Sequence, residues 1–201
     1  MIQKSFMQTF TGKRFFPMDP HPEDFDILDI GHSLSLQCRF NGHCLCFYSV
    51  AEHCVRVSEL LEKTHNSDML SFWGLLHDAP ETYLGDIVRP LKLHLPEYGK
   101  IEKNVEQSLI VGKFNLPWPM PPEVKWADDV LLATEKRDLL CPVADQWRAS
   151  EDPLPERISP MTSDQAMTAF IHSFNRFKGW DVKKVEYNKA SGIKVKRPRK
   201  K

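Results

Sequence analysis

From Ser49 to about Thr64 the apolar side chains recur at intervals of three and four: Val50, Cys54, Val57, Leu60 and Leu61, with His53 in the same series. That is the period of a helix, and a helix with one apolar stripe must bury it against another element. Ser49, with Glu52 three residues on, marks the start, because a serine oxygen and a glutamate carboxylate can satisfy the first free backbone N–H groups. The period returns over Asp68–Asp78 (Leu70, Trp73, Leu76), after Pro96 to about Phe114, and from about Pro122 to Leu140. It returns again from Ser163, read as a cap, through Met167, Phe170, Ile171, Phe174 and Phe177 towards Gly179. A shorter helix is expected over Phe25–Gln37. Pro80 should end or kink the second long helix, since a residue before proline avoids helical angles. Such a chain can satisfy its stripes only by packing helix on helix, so the expected class is mostly α, a helical bundle. One or two small β-hairpins are expected near the N-terminus. Residues 8–20 look extended around a Thr11-Gly12 turn, and Asn41-Gly42, between Arg39-Phe40 and the run Cys44–Tyr48, tolerates the positive φ angles of a two-residue hairpin turn. Residues 142–160 read as a loop.

Domain organisation follows from the same pattern. Residues 1–180 are expected to form one domain, and 181–201 a basic tail. Lys194, Lys196, Arg197, Arg199, Lys200 and Lys201 fall among the last nine residues with no acid between them. The tail reads as a solubilising end, with a tether to nucleic acid or a partner as the sharper alternative. Basic and acidic residues balance at 27 each, which argues against stable binding of long nucleic acid, a task that needs many phosphate-neutralising side chains. A small anionic ligand stays within reach if a few cations and a metal ion converge. No apolar run approaches the roughly 20 residues of a membrane span, and Met1–Phe10 lacks the basic start and apolar block of a signal peptide. Five cysteines (Cys38, Cys44, Cys46, Cys54 and Cys141), an odd number without that signal, fit reduced thiols in a cytosol. Cys44 and Cys46 lack the two-residue spacing of structural zinc ligands and read as small hydrophobes.

Against this apolar background the polar residues on inward faces carry the information. His53 shares a face with Val50 and Val57. His77 and Asp78 close the second helix. Asp128 shares a face with Val124, Leu131, Leu132 and Glu135 in the fourth, and Asp129 is the adjacent alternative. Any one of these alone would be a satisfied core group or a cap. Burying several unpaired is costly, and a shared divalent metal ion removes the cost for all of them. Imidazole and carboxylate ligands suit a metal that keeps open positions for water and phosphate. His32 and His43 could reach such a site.

The pattern His53, His77-Asp78, Asp128 resembles the H…HD…D signature of HD-domain metal-dependent phosphohydrolases. Local words extend the resemblance: YSVAEHCVRVS (48–58), LLHDAPETYLGD (75–86), IVRPLK (87–92) and VKWADDVLLATEKRDL (124–139). They are similar to the bacterial 5′-deoxynucleotidases of HD type and to bacteriophage HD proteins that include dATP triphosphohydrolases. RFNGH (39–43) and QTFTGKRFFPMDP (8–20) look more like the phage group. The resemblance covers roughly residues 8–140. It implies metal ligation by His53, His77, Asp78 and Asp128, and a catalytic carboxylate at Glu81 that orients or deprotonates the attacking water. It implies substrate contacts at Asp86 (the sugar), Arg39 and Lys92 (the phosphates) and Phe40, where the deoxynucleotidases stack a tryptophan on the base.

The function so implied is removal of the 5′ phosphate or triphosphate from a 2′-deoxynucleotide. The phage-like words favour dATP triphosphohydrolase activity in a nucleotide-pool role, with a monophosphate 5′-deoxynucleotidase as the alternative. Hydrolysis of an alarmone or cyclic dinucleotide is disfavoured by Ala79-Pro80-Glu81-Thr82 after the His-Asp pair. A non-catalytic binding module is disfavoured by the intact ligand positions. The implied cofactor is one divalent metal ion, cobalt, manganese, zinc, nickel, iron or magnesium. The implied partners are a small-molecule deoxynucleotide and further copies of the chain in a homo-oligomer, with no membrane. The implied compartment is the cytoplasm, that of the host if the chain is phage-encoded.

Overall fold

Residues 5–143 and 147–177 are described by a computed structural model. Helices dominate it, in the order α1 (Ile27–Leu36), α2 (Val50–His65), α3 (Asp68–Leu76), α4 (Glu81–Leu84), α5 (Arg89–Lys92), α6 (Pro96–Gln107), α7 (Pro122–Leu139) and α8 (Ser163–Arg176). Two short strands, β1 (Met7–Gln8) and β2 (Arg14–Phe15), pair antiparallel with Met7 opposite Phe15. The class is the expected one, mostly α with a small hairpin near the N-terminus.

The long central helix α2 begins where expected. The Ser49 hydroxyl accepts the Glu52 backbone N–H at 3.1 Å. The Glu52 carboxylate does not close the box. It accepts instead from Arg56 at 2.8 Å and from the Met161 N–H at 2.8 Å, so a residue expected to cap its own helix ties down a distant loop. Helix α2 packs against α1, α3, α7 and α8, and its apolar stripe meets Leu34, Trp73, Leu75, Leu76, Leu131 and Phe170 in one continuous core. Each such side chain taken fully from water stabilises the fold by about 1.5–3 kcal/mol. The approach of α3 to α2 depends on Gly74. A Cβ there would lie 2.5 Å from Leu61 Cδ1 and 3.3 Å from the Ser58 backbone nitrogen.

Three expectations shift. The Asn41-Gly42 segment makes no β-hairpin. Phe40, Asn41 and Gly42 do take positive φ (54°, 51° and 78°), but within a tight helical turn over 39–42. Strand pairing stops at the single bridge Cys38–Ser49. The reason is tertiary: beyond the Arg39 N–H bond to the Tyr48 carbonyl at 2.9 Å, the Leu45 N–H donates to the Leu139 carbonyl at 2.8 Å and the Arg39 side chain turns inward, so the outer part of the loop binds α7. Helix α3 ends at Leu76, and a turn through His77–Pro80 separates it from the short α4, as Pro80 requires. The cap of α8 is Thr162, one residue before Ser163, in a reciprocal box with Gln165. Helix α6 runs on into a π-helical turn, Ser108–Lys113, covering the expected span to Phe114. Residues 147–162 form a loop strapped to the bundle by three backbone donors, Leu154 to Thr134, Ile158 to Asp138 and Met161 to Glu52. The basic tail, Gly179 and Trp180 lie outside the described residues. No described helix is long and apolar enough to cross a membrane.

Candidate metal centre

Two helices and one turn bring the polar residues together. His53 comes from the first turn of α2, His77 and Asp78 from the turn that follows α3, and Asp128 from α7. His53 Nε2 lies 3.3 Å from His77 Nε2, 3.2 Å from Asp128 Oδ1 and 3.8 Å from Asp78 Oδ2. His77 Nε2 lies 3.2 Å from Asp78 Oδ2. Asp129 stays outside this cluster, paired with Lys125, whose ammonium also meets Asp128 Oδ2 at 3.0 Å. The alternative left open between the two aspartates therefore falls to Asp128 on geometry.

The far nitrogens of both imidazoles are held. His53 Nδ1 is 2.6 Å from Glu135 Oε1, and His77 Nδ1 is 2.7 Å from the Gly74 carbonyl oxygen. Each Nδ1–H therefore donates outward, and each Nε2 turns a lone pair inward. Such outer support is what orients histidine ligands at metal sites. The buried His, Asp and Cys side chains here could hold a metal ion: His53, His77 and Asp128 form one compatible group, and Cys54, His77 and Asp78 another. Burial pushes the Cys54 thiol up to about 11 despite nearby His77, so without a metal it stays a neutral thiol beneath the cluster.

Electrostatics tell the same story. Burial opposes charge on both carboxylates, yet the two histidines and Arg39 hold Asp78 and Asp128 below the usual carboxylate range. Burial and Arg39 would depress His53, but Glu135 and Asp128 outweigh them and raise it. Burial likewise acts against His77, and Asp78 raises it well above the ordinary imidazole range.

Beside the cluster lies a cavity of about 340 Å³, lined by His77, Asp78, Glu81, Lys92, Glu106 and Trp118 among others, in the range that holds small ligands. Glu81 opens α4 and points into it. Burial first, then Asp78 and Asp86, raise its pKa well above the ordinary value, and its Oε2 is buried without a hydrogen-bond partner. A buried, unpartnered carboxyl oxygen is costly, and such groups concentrate at functional sites. Lys92 also lines the cavity, but its ammonium is paired with Glu102.

The remaining implied contacts lie further out. Arg39 is not among the cavity-lining residues. It donates from Nε to Glu135 Oε2 at 3.1 Å, pairs again through Nη2 at 3.0 Å, and reaches Asp78 Oδ2 at 3.5 Å. Phe40 lies against Arg39, 5.4 Å from ring centre to guanidinium carbon, on the left-handed turn. Asp86 donates its backbone N–H to Gln37 Oε1 at 3.2 Å, and burial raises its carboxyl pKa. His32 stacks on Phe10 at 3.7 Å, against a separate cavity, and His43 is exposed.

Glu135 was visible in the sequence only as a member of the Asp128 face. Its place seven residues on, on the same side of α7, was the signal. Fully buried, it joins Arg39 to His53. Glu106 and Trp118 carried no sequence signal, because α6 and the 114–121 loop meet the cavity only through the fold.

No protein-family model matches the chain. It is 35% identical over 132 residues to an uncharacterized protein of Rhodobacter capsulatus, covering 63% of this chain and 66% of that one. To the uncharacterized protein YfdR of Escherichia coli it is 40% identical over 174 residues, covering 85% of this chain and 94% of YfdR. With that likeness along nearly the whole of both chains, this protein belongs to the YfdR family.

Proposed function

We propose that this protein is a metal-dependent phosphohydrolase of the HD type, removing the 5′ phosphate or triphosphate from a 2′-deoxynucleotide. The observation that carries the reading is the convergence of two imidazole nitrogens and two carboxylates at the wall of a cavity that also holds the unpartnered carboxyl of Glu81. The residues fit a divalent cation: His53, His77, Asp78 and Asp128 would hold it. When bound, it supplies the positive charge that phosphoryl oxygens require and eases ionisation of a water.

The chain's own groups do the rest. Glu81 accepts a proton from the attacking water and aligns it towards phosphorus. Burial and the neighbouring Asp78 raise its pKa, which makes it a stronger proton acceptor than an ordinary carboxylate. Lys92, which lines the cavity, faces the phosphate end of the ligand. Arg39 acts through Glu135, holding His53 in the tautomer that leaves Nε2 free. Asp86, within electrostatic reach of Glu81, approaches the sugar. The products are a deoxynucleoside and phosphate, or triphosphate.

The sequence words favour dATP as substrate. The monophosphate reading has one observation of its own: the lysines lining the cavity are matched by Glu81, Glu102 and Glu106, a sparse counter-charge for a triphosphate. A screen of deoxynucleoside mono-, di- and triphosphates with manganese, cobalt, zinc, nickel, iron and magnesium tests both. Triphosphate release from dATP supports the first; turnover of dAMP with none of dATP supports the second; no turnover of any of them refutes the function. Glu81→Gln should abolish turnover while metal binding persists. A cytoplasmic location and a homo-oligomeric state belong to the same proposal, the latter testable by sedimentation.

A further inference from the structure

In the wall of the cavity beside the metal cluster, α6 and the 114–121 loop bring together an aromatic ring and a carboxyl group. Trp118 Nε1 donates to Glu106 Oε2 at 3.1 Å. This bond fixes the plane of the indole and the orientation of the carboxyl. Glu106 is half-buried, and the Trp118 bond engages Oε2 and leaves Oε1 to face the cavity. Lys103 lies over the indole, its Nζ 5.0 Å from the ring centroid, and Met120 and Gly99 complete the wall. A Cβ on Gly99 would meet nothing within 4 Å, so the backbone there leaves this part of the wall open. The same cavity holds the unpartnered Glu81 carboxyl oxygen. One cavity thus holds the Glu81 carboxyl together with an aromatic surface and an oriented acceptor. Phe40, the aromatic residue that the resemblance suggests for base stacking, is not part of that enclosure.

We infer that Trp118 and Glu106 form the base subsite: the indole stacks on a nucleobase and Glu106 Oε1 accepts from an exocyclic amine. The inference rests on the nucleotide reading above and adds a preference to it. Adenine and cytosine present an amine donor to a fixed acceptor, whereas thymine presents a carbonyl oxygen. Two acceptors facing each other in a partly dry site repel and leave both unsatisfied, which is how a polar subsite rejects the wrong ligand far more strongly than an apolar one can. Burial and neighbouring Glu102 raise the Glu106 pKa against the lowering effect of the Trp118 bond, so an N–H donor arriving at Oε1 relieves an unfavourable charge.

Glu106→Gln inverts the code without emptying the site. The amide oxygen can still accept from Trp118 Nε1, and the amide NH₂ then replaces Oε1. A donor now faces the base, clashing with an amine and matching the thymine carbonyl. The experiment compares kcat/KM for the adenine, cytosine and thymine deoxynucleotides, in whichever phosphorylation state the manganese-loaded wild type hydrolyses. Wild type should prefer adenine or cytosine over thymine by about ten-fold or more, and Glu106→Gln should shift that ratio towards thymine by about ten-fold or more. Trp118→Leu should raise KM for all bases by about five-fold or more, consistent with the stacking contribution of an aromatic side chain. A general folding defect lowers all rates together and cannot reverse a ratio. Unchanged base ratios in Glu106→Gln, with wild-type hydrolysis intact, overturn the base subsite and leave the phosphohydrolase reading standing. A wild type that hydrolyses no deoxynucleotide overturns both.

Discussion

Replacing Glu135 with glutamine tests the arrangement that holds the metal centre in place. Glu135 is fully buried and serves two masters: Oε1 receives His53 Nδ1–H at 2.6 Å, and Oε2 receives Arg39 at 3.0–3.1 Å. Burial opposes its charge, but Arg39 and then His53 hold its pKa below the usual range, so it is an anion. Glutamine keeps the shape and one acceptor for His53, but it leaves the Arg39 guanidinium without its main counter-charge. Breaking a buried pair from one side costs about 3–5 kcal/mol. Asp78, 3.5 Å from Arg39, retains part of the compensation and places the expected loss near the lower end, about 3 kcal/mol. At about 2–4 °C per kcal/mol for a chain of this size, Tm should fall by roughly 6–12 °C. Loss of the anionic support behind His53 should weaken metal binding by about 10–100-fold. Thermal melts of the metal-free protein and calorimetric titration with manganese read the two effects separately. The double variant Arg39→Met with Glu135→Leu separates them further: removing both charges should recover most of the stability but not the metal affinity. A Glu135→Gln protein that melts within about 2 °C of wild type and binds manganese within about two-fold would refute the argument that Arg39 and Glu135 hold His53.

Other perturbations reach other parts of the reasoning. Asp128→Ala should cut manganese affinity by more than ten-fold, whereas Asp129→Ala should leave it within about three-fold; equal losses in the same calorimetric titration would contradict the assignment of Asp128 to the cluster. Gly74→Ala places a methyl group against Leu61 and the Ser58 backbone and should destabilise by about 1–3 kcal/mol in urea unfolding, as overpacked cores do. Asp138 has its pKa lowered by Arg137 first, against burial, and then by the Ile158 N–H and Arg157. A depressed folded pKa gives stability that is fully present above the unfolded value, about 4, and is lost as pH falls through the folded value. Asp138→Asn should therefore lower Tm at pH 7 and flatten its decline below pH 4, with the 147–162 strap becoming the first segment cut by limited proteolysis.

Helical periodicity determined the element types by itself, because burying an apolar stripe is a local demand written every three or four residues. The spans of α2, α6 and α7 and the break at Pro80 follow from it. The inward polar positions His53, His77, Asp78 and Asp128 were legible for the same reason: a polar residue within an apolar stripe stands out. What the sequence could not determine was which partner each polar group would find. The Asn41-Gly42 turn kept its left-handed backbone, yet the hairpin did not extend past the Cys38–Ser49 bridge, and the Leu45 N–H went to Leu139 of α7 instead. Glu52 satisfied the Met161 N–H across 109 positions of sequence instead of closing its own cap. The meeting of Glu106 with Trp118 at the cavity was likewise decided only by tertiary structure. A hydrogen bond or ion pair between distant segments depends on where helices cross. Those crossings are set by side-chain shape in the whole core, as at Gly74, and no local pattern encodes them.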